Sequence, residues 1–88
     1  MHAEIHGADE PAPGSTVEGR YANLFQVGHN SFEFILDCGQ YFSDRNVEVF
    51  HTRIITSPKH AKDLLAVLTE AVQQYEDRFG SIATEESP

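Results

Sequence analysis

Residues 47–80 read VEVFHTRIITSPKHAKDLLAVLTEAVQQYEDRFG, and the apolar spacing changes there from two to between three and four at Thr56-Ser57-Pro58. Ahead of that point, Val47 to Thr56 alternates as a strand. Phe50 and Ile54 share one parity with Glu48, Thr52 and Thr56, and Val47, Val49 and Ile55 share the other with His51 and Arg53. Behind it a helix is predicted. Ser57 supplies a side-chain acceptor for an orphan amide, and Pro58 fits the first helical position, where its missing N–H costs nothing. Ala61, Leu65, Leu68, Val72, Tyr75 and Phe79 then recur at spacings of four and three, with Leu64 and Ala71 widening the stripe, until Gly80 offers a left-handed stop. Such a helix is about 33 Å long, while three strands are only about 10 Å across between their outer axes. It is expected to lie along the strands, with part of its stripe reaching another subunit.

Upstream, Arg20 to Val27 places Tyr21, Asn23, Phe25 and Val27 on one parity and Ala22 and Leu24 on the other, the pattern of a further strand. Gly28-His29-Asn30-Ser31 has the residues of a tight reversal. Ser31 to Cys38 then reads as the second strand of a hairpin, with Phe32, Phe34, Leu36 and Cys38 on one face and Glu33, Ile35 and Asp37 on the other. Gly39 to Asn46 reads as a loop in which Tyr41 and Phe42 cover an edge. The fold class expected is α+β: a three-stranded antiparallel sheet followed by one long C-terminal amphipathic helix (β-β-β-α), in an oligomer.

The ends differ from this module. Residues 1–16 are rich in Ala, Pro, Gly and acids without apolar periodicity, the composition of a disordered arm, and 83–88 have the same polar character. Residues 17–82 are left as a single domain. The chain has 88 residues, 40% of them hydrophobic, with no stretch near the roughly 20 apolar residues that span a bilayer. Its start, MHAEIHGADE, lacks the regions of a secretory leader, so a cytoplasmic location is expected. One cysteine, Cys38, excludes an internal disulfide and multi-cysteine zinc frameworks. A net charge of -8 argues against nucleic acid and anionic membrane as partners.

A three-stranded sheet with a helix on one face needs one apolar side. Here Leu24, Ile35 and one parity of the third strand are apolar opposite Phe25 and Phe34, so a single copy is short of cover. A homodimer or higher homo-oligomer is therefore expected. Phe25, Phe34, Leu36, Phe50, Ile54, Leu65, Leu68, Val72 and Tyr75 are the side chains expected to form the core or the subunit contact.

No catalytic signature is found. Neither a GxSxG elbow nor a phosphate loop is present. His29, His51, His60, Cys38 and Asp37 lack the paired spacing of a zinc site, and an enzyme would need a pocket gathering His29, Asp37 and His51. Cys38 reads as a small apolar filler. Glu33 and Asp37 are about 13 Å apart along one strand face, too far for a carboxylate dyad, and are better explained by solvent or an ion pair with Arg53. Lys59, His60 and Lys62 put positive charge at a helix N-terminus, where the dipole disfavours it. They are a candidate contact for an anion or a partner, such as an acidic tail like Glu85-Glu86 of another subunit. The competing reading is local pairing of Lys59 with Asp63.

The run YANLFQVGHNSFEFILDCGQ followed by HTRIITSPKHAKDLLAVLTEAVQQYEDRFGSI resembles the family of small bacterial and archaeal proteins known as domain of unknown function 3467. The features that carry the resemblance include Tyr21-Ala22-Asn23, Val27-Gly28-His29-Asn30, Leu36-Asp37, Arg53-Ile54-Ile55, Ser57-Pro58, Leu64-Leu65 and Phe79-Gly80. Cys38 departs from the pattern, standing where the resemblance leads one to expect an aromatic residue. The resemblance implies no reaction, cofactor or active site. A looser architectural similarity is to SecB-like export chaperones, which implies binding of unfolded or extended peptide segments. The reading taken from the residues is a small, non-enzymatic, self-associating adaptor that contacts itself and another protein and uses no cofactor or metal, with the chaperone as the alternative.

Overall fold

The computed structural model describes Ile5 and residues 17–84; the rest of the expected arm, and 85–88 of the expected tail, lie outside the described residues. Three strands, β1 (Leu24–His29), β2 (Phe34–Phe42) and β3 (Val47–Thr56), form an antiparallel sheet in the order β1-β2-β3. They are followed by α1 (Pro58–Phe79). This is the expected β-β-β-α arrangement.

The helix boundaries follow from local chemistry. Ser57 Oγ accepts from the His60 amide at 3.2 Å, and Pro58 occupies the first turn. At the other end the Gly80 amide donates to Glu76 O at 2.9 Å. Gly80 adopts φ 98 and ψ 169, which differs from the expected left-handed α conformation but is equally reserved for glycine.

The first hairpin differs from expectation by two to four residues. Gly28 and His29 are not in the turn; they pair with Ile35 and Phe34, and the reversal spans residues 30–33. The cause is Asn30, whose Oδ1 accepts from the amides of Phe32 at 2.7 Å and Glu33 at 3.0 Å, building the turn around its own side chain. β1 also starts at Leu24 rather than Arg20. There Asn23 closes the ladder with its side chain, accepting from Tyr41 N at 2.7 Å and donating to Tyr41 O at 3.3 Å.

The expected loop over residues 39–46 is also shorter, because β2 continues to Phe42 and pairs with β3 as far as Val47. Asn46, with φ 51, completes the reversal, and its Oδ1 accepts from the Tyr41 hydroxyl at 3.0 Å. Gly39 is extended strand here. Register breaks beside it: Cys38 pairs with Thr52 but Gly39 pairs with Phe50, leaving His51 as one extra residue in β3. A Cβ on Gly39 would strike the Val49 carbonyl and lie 2.7 Å from Phe50 Cα, so the bulge requires glycine opposite it.

The bulge reverses the facing of everything before it in β3. Paired residues share a face, so Val47 (opposite Phe42) and Val49 (opposite Gln40) join Ile54 (opposite Leu36). Phe50, expected beside Ile54, lies on the opposite face with Leu24, Ile35, Tyr41 and Ile55. One face, termed the aromatic face below, thus carries Phe25, Val27, Phe34, Leu36, Cys38, Phe42, Val47, Val49 and Ile54. The other mixes apolar residues with Gln26, Asp37, Glu48 and Arg53.

No hydrophobic side chain among the described residues is buried. The strands contact one another, whereas α1 forms no comparable contact with any strand. The expected packing of the helix along the sheet is absent within one chain. Its first three turns instead stand across an open cleft of about 520 Å³ from Val27, Phe34 and Leu36.

Candidate functional site

The candidate site is the apolar surface left open by this arrangement. The cleft is lined on the helix side by Pro58, Ala61, Lys62, Leu64, Leu65 and Leu68, so Lys62 is the only charged group at it among the described residues. Beyond it the stripe continues through Val72, Tyr75 and Phe79, with the Tyr75 and Phe79 rings 5.0 Å apart, and the sheet continues through Phe25, Val47 and Val49. Phe25 is 66% exposed and Leu65 65%. Eleven such residues on the aromatic face and the stripe stay exposed, and at roughly 150–250 Å² per aromatic side chain, less per aliphatic one, they leave on the order of 1,000 Å² of apolar surface open. The largest patch of an ordinary monomer is about 300–600 Å².

Of the side chains expected as core or subunit contact, Phe25, Phe34, Leu36, Ile54, Leu65, Leu68, Val72 and Tyr75 belong to this surface, and Phe50 does not. Val47 and Val49 replace it. Their placement is hidden from strict alternation, because it follows from one extra residue whose only sequence signal is a glycine on the neighbouring strand.

The helix start resolves into local pairs. Lys59 Nζ approaches Asp63 Oδ2 at 3.4 Å, and the His60 ring shares a 2.9 Å hydrogen bond with Ser57 Oγ. Lys62 sits at the cleft. Lys59, His60 and Lys62 therefore serve different neighbours, and Glu85-Glu86 lie outside the described residues.

On the mixed face Asp37 and Arg53 form a bidentate pair directly across β2 and β3, with Nε to Oδ1 at 2.7 Å and Nη2 to Oδ2 at 2.9 Å. Its hydrogen bonds to the guanidinium, and secondarily the charge of Arg53, hold the Asp37 carboxyl below its ordinary value of 3.8. A carboxyl lowered on folding binds fewer protons folded than unfolded. Its contribution is complete above the unfolded value and is lost as the pH falls through the folded one. Asp37→Asn is therefore expected to flatten the acid side of the stability profile, read from urea midpoints at descending pH. Arg53→Met should raise the Asp37 carboxyl toward its ordinary value in a 13C NMR titration. Glu33, expected too far from Asp37 to pair with it, belongs to the turn.

The described histidines are placed apart. His29 stacks on Phe34 with centroids 5.3 Å apart, and His60 belongs to the helix cap. His51, the bulged residue, donates from Nε2 to Tyr21 O at 2.9 Å and shares a 2.7 Å bond with Thr52 Oγ1, while Arg20 donates to His51 O at 3.1 Å. The chain ahead of β1 is thereby tied to β3. His51 and Asp37 border one shallow depression with Gln26 and Phe50, and His29 is not part of it. Cys38 is a free, half-buried thiol opposite Phe25 and Thr52. Among the described residues no group of three or more His, Cys, Asp or Glu side chains is placed to hold a metal ion, and no helix is long and apolar enough to cross a membrane.

Fold and surface together define a small α+β chain whose dominant feature is open apolar surface rather than a cluster of reactive groups. The chain belongs to the family described as "Protein of unknown function (DUF3467)", which matches residues 4–84. No curated protein and no solved structure matches it.

Proposed function

We propose that this chain is a non-enzymatic, self-associating interaction module that acts as a small adaptor or accessory subunit. The observation that carries the reading is the lack of any buried hydrophobic side chain among the described residues of a chain that is 40% hydrophobic. Folding requires burial to offset chain entropy, and three strands with a helix standing off them do not supply it. A second copy does. The open surface, on the order of 1,000 Å², exceeds the roughly 800 Å² that each side of a standard interface contributes. With the aromatic face covered, the mixed face still presents Tyr41, Phe50 and Ile55 around the Asp37–Arg53 pair, a blend of apolar and polar groups suited to a protein partner.

Light scattering on the full chain at micromolar concentration is expected to give at least twice the 9.8 kDa of one copy. Because assembly and folding are then one equilibrium, the melting temperature should rise with protein concentration. A cooperatively melting 9.8 kDa monomer would remove the proposal. The chaperone alternative draws on the same exposed apolar surface, and is separated by whether the assembled protein suppresses aggregation of an unrelated unfolded chain, which an adaptor does not do.

A further inference from the structure

Resting on that self-association, we infer that the occupant of the aromatic face is the helix of a second copy, and that two copies exchange helices reciprocally about a two-fold axis. The tether between sheet and helix is the first reason. Only Ser57 lies between the last residue of β3 and the first of α1, so the helix starts at the Phe34–Thr56 end of the sheet. The far end, at Phe42–Val47, is about 27 Å away along the strands. Within one chain the first three turns of α1 face the near end across the cleft, and α1 as a whole packs far less on any strand than the strands do on one another.

Two apolar patches are thus left without a partner: Val72, Tyr75 and Phe79 on the helix, and Phe25, Val47 and Val49 on the far half of the sheet. They differ from each other, and each chain carries one of both. A two-fold axis brings unlike patches together twice, so that the helix patch of each copy meets the sheet patch of the other. One closed dimer then covers all four. A head-to-tail pairing would cover two and leave two open at the ends, driving an endless chain. The same pairing closes the cleft, which a single copy leaves open.

The test places a photo-activatable benzophenone side chain at Tyr75 in a mixture of 14N- and 15N-labelled full-length chains, with cross-linked peptides identified by mass. Products joining position 75 to Phe25, Val47 or Val49 of a differently labelled chain are expected. Products to Ile35 or Ile55, on the mixed face, to another helix, or within one chain would overturn the exchange while the larger mass by light scattering leaves self-association standing. A monomeric mass in the same sample would overturn both. Cys38 gives a second reading on unaltered protein. Being on the aromatic face, its thiol should react with a maleimide at least tenfold more slowly in the assembled chain than in the same chain in urea, and equal rates would count against the exchange.

Discussion

Leu65→Asp is expected to abolish assembly and cooperative folding together. In one chain this side chain is 65% exposed, and substitution at an exposed helix position ordinarily changes stability by less than about 0.5 kcal/mol. In the proposed dimer it would be covered in the cleft between helix and sheet, where the change removes a leucine and puts a carboxylate without a partner. That costs about 3–5 kcal/mol per chain, and a two-fold dimer carries the change twice. Dissociation is then favoured by at least about ten-thousand-fold, since each 1.4 kcal/mol is a factor of ten. The separated chains have no buried core to hold them, so light scattering should give a monomeric mass and far-UV dichroism should lose its cooperative melt. Ile55→Asp is the matched comparison. Ile55 is 59% exposed, but on the mixed face, and its loss should stay within about 1 kcal/mol and leave the mass unchanged. Equal tolerance of both substitutions would mean that neither face is covered.

The parts of the fold that were readable in sequence are those decided within a few residues. Ser57 and Gly80 set the ends of α1 through bonds to residues at most four positions away, Pro58 fits the first turn without needing one, and the helix spans the residues expected of it. β3 was bounded equally well, between Asn46 and the cap. The first hairpin was misplaced because Gly28, His29, Asn30 and Ser31 all suit a turn, and the choice fell to one side chain, Asn30, that can hold two amides at once. The loop expected over residues 39–46 failed for a different reason. A glycine in a strand usually marks an interruption, and here it marks close approach of the neighbouring backbone, which only the pairing partner reveals. Missing the bulge put Phe50 on the wrong face and left Val47 and Val49 out of the candidate surface. Shortage of cover, by contrast, was legible from counting apolar faces, although its extent was not: nothing in the spacing of the helical stripe says that the helix stands across an open cleft from its own sheet.

That bulge predicts the second large effect. Gly39→Val should cost about 3 kcal/mol or more, because the new side chain meets β3 backbone rather than the yielding tip of another side chain. The damage should be directional. Amide protection is expected to fall at residues 40–42 and 47–49, beyond the register break, while the Leu36–Ile54 and Ile35–Ile55 pairings keep theirs. Since Val47 and Val49 reach the aromatic face only through the break, assembly should weaken with them. Deleting His51 in the Gly39→Val background supplies the decisive contrast. Without the extra residue Phe50 follows Thr52 directly, regular pairing continues past position 39, and both valines keep their facing while the backbone no longer crowds the new side chain. The deletion forfeits the His51 bonds to Tyr21 and Thr52, which are exposed or half-buried and individually worth about 1 kcal/mol. Recovery of most of the lost urea midpoint in the doubly altered chain is therefore expected. If deletion instead deepens the loss, the bulge does more than set which side chains face the aromatic side, and the reading of β3 as a strand turned over by one residue fails.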